Sequence, residues 1–251
     1  MNSYLDVVVS QGVALVTLDD PGRRNALNAR MVDQLCEAFD EFEQSDDVRA
    51  VLLTGRGRAF CAGADLTHLG SSQREGLLQI YRGFLRLAES DLVTIAAING
   101  AAVGAGMNVA LACDIRLAAA SARFDCRFLA LGLHPGGGHT WMLQRAVGPQ
   151  VAAAMVLAGQ VLDGHDAERV GLAWKCVSDE DLIDVARTMA LSAASNPGEL
   201  ARRAKRSLRQ MGFVESHDEA VEIELTEQLW SMGQPAFAER LAAMKARISD
   251  K

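Results

Sequence analysis

The sequence predicts an α/β protein built on a largely parallel, buried sheet, with a helical region at its C-terminal end. Three observations lead there. Short apolar runs alternate with segments of helical period through the first two-thirds of the chain. Two glycine-rich stretches each join a strand to a helix. Beyond Thr140 the pattern is almost wholly helical.

The elements follow in order. Val7–Val9, a Ser10-Gln11-Gly12 turn and Val13–Leu18 form a β-hairpin. Met31, Leu35, Ala38, Phe39 and Phe42 recur at helical spacing, and Val48–Thr54 is a short buried strand. Leu77–Leu87 is helical, Val93–Ile98 a strand, Met107–Ala112 a short helix and Ile115–Ala119 a strand. After Thr140 one strand is expected, near Trp174–Val177, among helices near 150–158, 181–194, 198–211, 216–231 and 235–248. Ser195-Asn196-Pro197 marks a hinge, giving a core over 1–195 and a helical region over 196–251.

Composition narrows the function classes. The 251 residues are 49% hydrophobic and 23% charged, as in ordinary globular proteins. With 25 basic against 32 acidic residues the formal charge is −7, so the surface repels nucleic acid and an anionic ligand needs a local basic pocket. Cys36, Cys61, Cys113, Cys126 and Cys176 are odd in number and contain no C-x-x-C pair, as expected of reduced thiols with no disulfide framework or zinc site. The N-terminus lacks the basic and apolar regions of a secretion signal, and a cytoplasmic location is expected. Leu92–Cys113 runs 22 residues without a charge, long enough to span a bilayer, but asparagines and glycines interrupt it. A buried strand, a glycine turn and a buried helix explain it better.

The glycine-rich stretches are Phe60–Leu66 and Ile98–Asn108. Small residues let a ligand approach the backbone. If a helix starts near Gly106, the N–H groups of its first turn point outward and favour negative charge. An N–H from the first stretch, placed opposite, completes a two-donor hole for an oxyanion. Close-packed α/β turns with no ligand are the plain alternative. A dinucleotide fingerprint fails, because Val109 stands where the third glycine belongs, and no P-loop is present.

Five strings, Arg24-Asn25-Ala26-Leu27-Asn28, Ala59–Leu66, Ile95–Gly100, Ala112-Cys113-Asp114-Ile115 and Pro135–Gly138, resemble in order and spacing the enoyl-CoA hydratase/isomerase, or crotonase, family. The resemblance spans nearly the whole chain. It implies a crotonase-like spiral of ββα units with a helical C-terminal trimerisation region, as a homotrimer or a dimer of trimers. It also implies an acyl-CoA thioester as substrate or ligand, with no other cofactor. The thioester carbonyl would lie between the N–H groups of Ala64 and Ala105, which stabilise a CoA enolate. Ala62 would border the adenine, and Arg23, Arg24, Ala26 and Arg58 the pantetheine and phosphates. Asp65, Leu66, Val103, Gly104 and Leu131 fall at substrate-site positions, while Phe237 and Arg240 match positions that close the CoA site from a C-terminal helix.

The chain departs from the family's hydratases at the two glutamates that handle water. Asn108 and Phe128 stand there. Asparagine can orient a water but cannot take its proton, and phenylalanine can do neither. Each positioned acid or base is worth roughly 10²–10⁴ in rate, so ordinary hydration is not expected. His134, before Pro135–Gly138, is the first candidate replacement, with His68 and His139 behind it. Asp125, three residues before Phe128, would face the other way along a strand. Asp65 and Asp114 brace turns, and Cys61 is packing rather than a nucleophile.

Two functions follow. One is an enzyme performing isomerisation, decarboxylation or carbon–carbon cleavage on an acyl-CoA. The other is an acyl-CoA binding or carrier protein without turnover, which Phe128 favours.

Overall fold

The computed structural model describes residues 3–65 and 74–249. Leu66 and His68 lie outside them. The chain divides into two compact units, residues 1–194 and 195–251.

The first unit carries two sheets. The larger has the order β1-β2-β3-β5-β7-β10, from Leu5–Ser10, Val13–Leu18, Ala50–Gly55, Val93–Ile98, Ile115–Ala119 and Lys175–Val177. β1 and β2 pair antiparallel in register Leu5 to Leu18, and every other pairing is parallel. All of β3 and nearly all of β5 are buried, because the sheet is covered on both faces. One cover is α6, Leu182–Ala194, whose Leu182, Ala186, Ala190 and Ala194 recur every four residues against β2, β3, β5 and β7.

The smaller sheet has the order β4-β6-β8-β9: Ala59–Cys61, Ala101–Val103, Arg123–Asp125 and Leu162–Asp163. In each of the pairs β3–β4, β5–β6 and β7–β8 the chain leaves the large sheet at the end of the first strand, turns and enters the small sheet as the second. Helices then follow: α2 (Arg74–Glu89), α3 (Ala105–Ala112) and α4 (His139–Leu157). With β1, β2 and α1 (Ala29–Gln44), this is the expected succession of ββα units. The corners are tight: a Cβ built on Gly100 would stand 2.3 Å from the Arg58 carbonyl oxygen. Asn28 caps α1, its Oδ1 accepting from Met31 N.

Three expectations need correction. The strands of the small sheet were not anticipated, β9 after Thr140 among them, because runs of two or three residues show no period. The span His139–Leu157 is two helical segments parted at the non-helical Gly148 before Pro149: the second is the helix expected near 150–158, and the first, from His139, is additional to the sequence expectation. β8 ends at Asp125, and Arg127 has φ 52°, so strand alternation does not relate Asp125 to Phe128. Phe128 instead starts a one-turn 3₁₀ helix over Leu129–Leu131.

The second unit contains α7 (Gly198–Met211), α8 (His217–Met232) and α9 (Pro235–Ser249). Ser216 caps α8, accepting from Glu219 N. Arg203 joins α7 to α8 through Glu227 at 2.8 Å, with its guanidinium over the Trp230 ring. A cavity of about 680 Å³ lies within this unit, lined by Leu200, Trp230, Phe237 and Leu241 among others. Among the described residues, no helix is long and apolar enough to cross a membrane.

Candidate active site

Two turns of the first unit abut. Residues 24–27 run beside 62–65: Ala62 N donates to Arg24 O, Leu27 N to Gly63 O and Asp65 N to Leu27 O. Leu27 and Ala64 form a parallel bridge, which uses the Gly63 carbonyl and the Asp65 N–H. The N–H of Ala64 itself therefore faces away from this ladder. The loop is locked from beneath by Asn25, fully buried at φ 57°. Its amide donates to Arg56 O and Ala59 O and accepts from Asp20 N.

The second turn is the start of α3. Gly104 sits at its N-cap with φ 53° and donates its N–H to Asp125 O, while its carbonyl accepts from Met107 N and Asn108 N. Ala105 is the first helical residue, so its N–H has no partner within the helix. The two turns meet at Gly63: a Cβ built there would lie 2.9 Å from Val103 O and 3.8 Å from Ala105 N. Gly106 packs harder still, its Cβ position being 2.0 Å from the Cys61 carbonyl oxygen. Backbone this close lets two N–H groups converge on one small group.

Beyond Ala105 the site is closed by an internal network. Asn108 is buried, its Nδ2 donating to Gly136 O at 2.9 Å and its Oδ1 lying 2.6 Å from His139 Nδ1. His139 Nε2 lies 3.2 Å from Cys126 Sγ. The Phe128 ring meets the His139 ring edge-on at 4.9 Å between centroids. Burial pushes His139 down to about 4 and the Cys126 thiol up to about 12. Cysteine, histidine and asparagine thus stand in the order of a nucleophile, its base and an orienting group. The energetics decide against that role. Burial disfavours both the thiolate and the imidazolium, so the pair stays neutral, and Cys126, only 2% exposed, is out of reach of a substrate. The network is a neutral wall.

The remaining candidates fall as follows. His134 is exposed, with Nδ1 2.7 Å from Pro135 O; it is His139 that meets Asn108. Asp125 is ion-paired with Arg127. Arg23, 61% exposed, pairs at 2.6 Å with Asp65, which is only 9% exposed, so the guanidinium reaches from the surface onto a buried carboxylate. Arg24 and Arg58 are exposed, Ala26 and Ala62 half-buried. Val103 ends β6, half-buried, and Leu131 is exposed, as are Leu129 and Leu133 beside it. Asp114 accepts from Thr94 N and Oγ1, which braces β5 against the end of α3. Cys61 is fully buried, its thiol pushed up to about 12. In the second unit Phe237 and Arg240 line the cavity, and Arg240 donates to Ser195 O at 2.8 Å. Among the described residues, no three His, Cys, Asp or Glu side chains are placed to hold a metal.

The profile of the enoyl-CoA hydratase/isomerase family matches residues 9–243. The chain is 47% identical over 248 residues to "Probable enoyl-CoA hydratase EchA14" of Mycobacterium tuberculosis, covering 95% of this chain and 96% of that protein. It is 40% identical over 200 residues to 1,2-epoxyphenylacetyl-CoA isomerase of Escherichia coli, covering 75% of each. A crystal structure of enoyl-CoA hydratase from Bacillus anthracis superposes with a TM-score of 0.92 at 28% identity, covering 98% of this chain and 97% of that one. The matched profile, the relatives and the ββα architecture agree, and the chain belongs to the enoyl-CoA hydratase/isomerase family.

Proposed function

We propose that the protein is an acyl-CoA enzyme that polarises the thioester carbonyl with the N–H groups of Ala64 and Ala105 and stabilises a CoA enolate. Its chemistry is something other than addition of water by two carboxylates. The observation that carries this is the neutral wall at Asn108 and Phe128. Asn108 is held on both sides, His139 is uncharged near neutral pH, and Phe128 presents carbon. A water placed there meets no group able to take its proton.

Such a site best suits decarboxylation, in which the electrons of the breaking carbon–carbon bond enter the thioester as CO₂ leaves and the enolate then takes a proton from solvent water. Other carbon–carbon cleavage also uses the enolate but needs a base to take the β-hydroxyl proton. Double-bond isomerisation also uses the enolate, but needs a proton carrier from elsewhere, for which exposed His134 is the candidate. The CoA moiety would run along Arg23, Arg24, Ala26, Arg58 and Ala62, past Asp65, Leu66, Val103 and Gly104. Leu131 would border the acyl chain, and Phe237 and Arg240 would close the site. No cofactor besides the CoA thioester is required. The helical second unit would serve assembly as a trimer or dimer of trimers, and a cytoplasmic location fits this metabolism. Phe128 also favours a second reading, an acyl-CoA carrier that keeps the two donors and performs no turnover.

The test is turnover of a panel of saturated, unsaturated, 2-carboxylated and 3-oxo acyl-CoAs by wild type and by Asn108→Glu/Phe128→Glu, with binding followed by calorimetry. We expect binding by both, hydration only in the double variant, and wild-type turnover of a substrate that loses a carbon group. Efficient hydration by the wild type would refute the proposal. Tight binding with no turnover of any substrate would select the carrier.

A further inference from the structure

We propose that His139 is the positioning residue of the thioester site: it fixes the direction of the Asn108 amide and thereby ties the first turn of α3 to the Gly136–Gly137 turn. This rests on the reading of Ala64 and Ala105 as the thioester donors.

An asparagine amide carries an oxygen on one side and an NH₂ on the other, and the two can exchange places. Here they cannot. The Gly136 carbonyl, 2.9 Å away, only accepts, so the NH₂ must face it. Oδ1 then faces His139 Nδ1 at 2.6 Å and also only accepts, so Nδ1 must carry the proton. Nε2 is left bare and takes the S–H of Cys126. With the other tautomer, two lone pairs would meet at 2.6 Å. With the amide turned over, two oxygens would meet at 2.9 Å. One arrangement satisfies every group, and a buried network of this kind is rigid only when complete.

Its rigidity bears on chemistry through position. Asn108 lies three residues after Ala105, and its own N–H shares the Gly104 carbonyl with Met107. His139 opens α4 and Cys126 follows β8, so the network pins the start of α3 between two other elements. The opposite side of the Asn108 amide is equally close, its Nδ2 lying 3.1 Å from a Cβ built on Gly137. Without the ring, Asn108 keeps only its bond to Gly136 O, its Oδ1 is left without a donor in a buried site, and the Ala105 N–H shifts as the helix turn relaxes. Misplacement of a catalytic group by about 1 Å can cost roughly 10²-fold in rate.

The experiment uses butyryl-CoA with a ¹³C label at the thioester carbonyl, bound to the full chain and followed by isotope-edited infrared spectroscopy. Two converging donors lower the carbonyl stretch on binding. We expect His139→Leu to lose most of that shift while still binding the probe, and His139→Gln, whose amide can donate to Asn108 Oδ1, to keep most of it. A purely structural histidine would lower the melting temperature in both variants and leave the shift intact, and a wild-type shift in His139→Leu overturns the proposal alone. Failure of the wild type to bind the probe, or to shift its carbonyl, overturns the thioester reading and the proposal with it. Independently of the variants, ¹⁵N spectra of the unliganded wild type should show His139 protonated at Nδ1. The Nε2-protonated tautomer would overturn the proposal even if both variants failed to fold.

Discussion

Replacement of Gly106 by alanine tests whether the start of α3 is held as closely as its geometry requires. In a helix, alanine is favoured over glycine by about 1 kcal/mol, so propensity alone predicts a more stable protein. The contact opposes it. The added methyl would stand 2.0 Å from the Cys61 carbonyl oxygen and 2.7 Å from its carbonyl carbon, and side chains are not found within 3.0 Å of such atoms. Both atoms are backbone of β4, so relief requires α3 and β4 to part by about 1 Å at least. Overpacking costs about 1–3 kcal/mol or more, and a methyl a full ångström inside the contact limit with backbone falls at the upper end, which exceeds the propensity gain. For a chain of this size each kcal/mol lowers the melting temperature by about 2–4 °C. The same displacement moves the Ala105 N–H, for which the expected loss is roughly 10²-fold in rate, or about 2.7 kcal/mol of transition-state stabilisation. Thermal melting and the infrared shift of bound ¹³C-labelled butyryl-CoA read the two effects separately. Gly212→Ala is the control: it ends α7 at φ −66°, its Cβ position is 3.4 Å from Arg209 O, and a change within about 0.5 kcal/mol is expected. A Gly106→Ala protein that melts at or above the wild-type temperature and keeps the full carbonyl shift would refute the reasoning.

Further outcomes follow from the same geometry. Asn25→Ala removes the partners of Arg56 O, Ala59 O and Asp20 N and puts alanine, which tolerates the left-handed region less well than asparagine, at φ 57°, so denaturant unfolding should show a loss of about 2–4 kcal/mol. Acidification should destabilise the fold through His139. Its pKa falls from 6.5 to about 4 on folding, so the unfolded chain binds the extra proton between those values. The stability it confers is complete above about pH 6.5 and is lost towards pH 4, on the order of 3 kcal/mol in all. In His139→Gln that part of the slope should vanish, and an unchanged pH profile would contradict the assignment. Cys61 and Cys126, buried with thiols at about 12, should resist alkylation in the native protein. Half-buried Cys36 and Cys176 should label first, a sequence readable by mass spectrometry.

Much of the fold is legible in the sequence because its elements are self-announcing. The large sheet is covered on both faces, so β3 and β5 read as continuous apolar runs. The amphipathic period of α1 shows directly, with Met31, Leu35, Phe39 and Phe42 all buried. The glycine-rich turns are legible for a different reason. Gly63 and Gly106 leave room for nothing larger, and that requirement is written in residue type. The family strings follow these turns, and so do the proposed donors Ala64 and Ala105.

What sequence alone could not decide lies where the deciding contact is distant along the chain. The strands β4, β6 and β8 have three residues each and exist only because they pair with one another across separations of some twenty to forty residues. Phe128 and Asp125 could not be assigned to faces, because the chain leaves the strand between them. Above all, the sequence put His134 first and His139, with His68, behind it. Only the packing of α4 against α3 brings His139, 31 residues away, onto Asn108. Residue type determined that neither Asn108 nor Phe128 carries a carboxylate, since chemistry belongs to the side chain. The tertiary structure decided what surrounds them, because burial and the pairing of hydrogen-bond donors with acceptors are properties of neighbours in space.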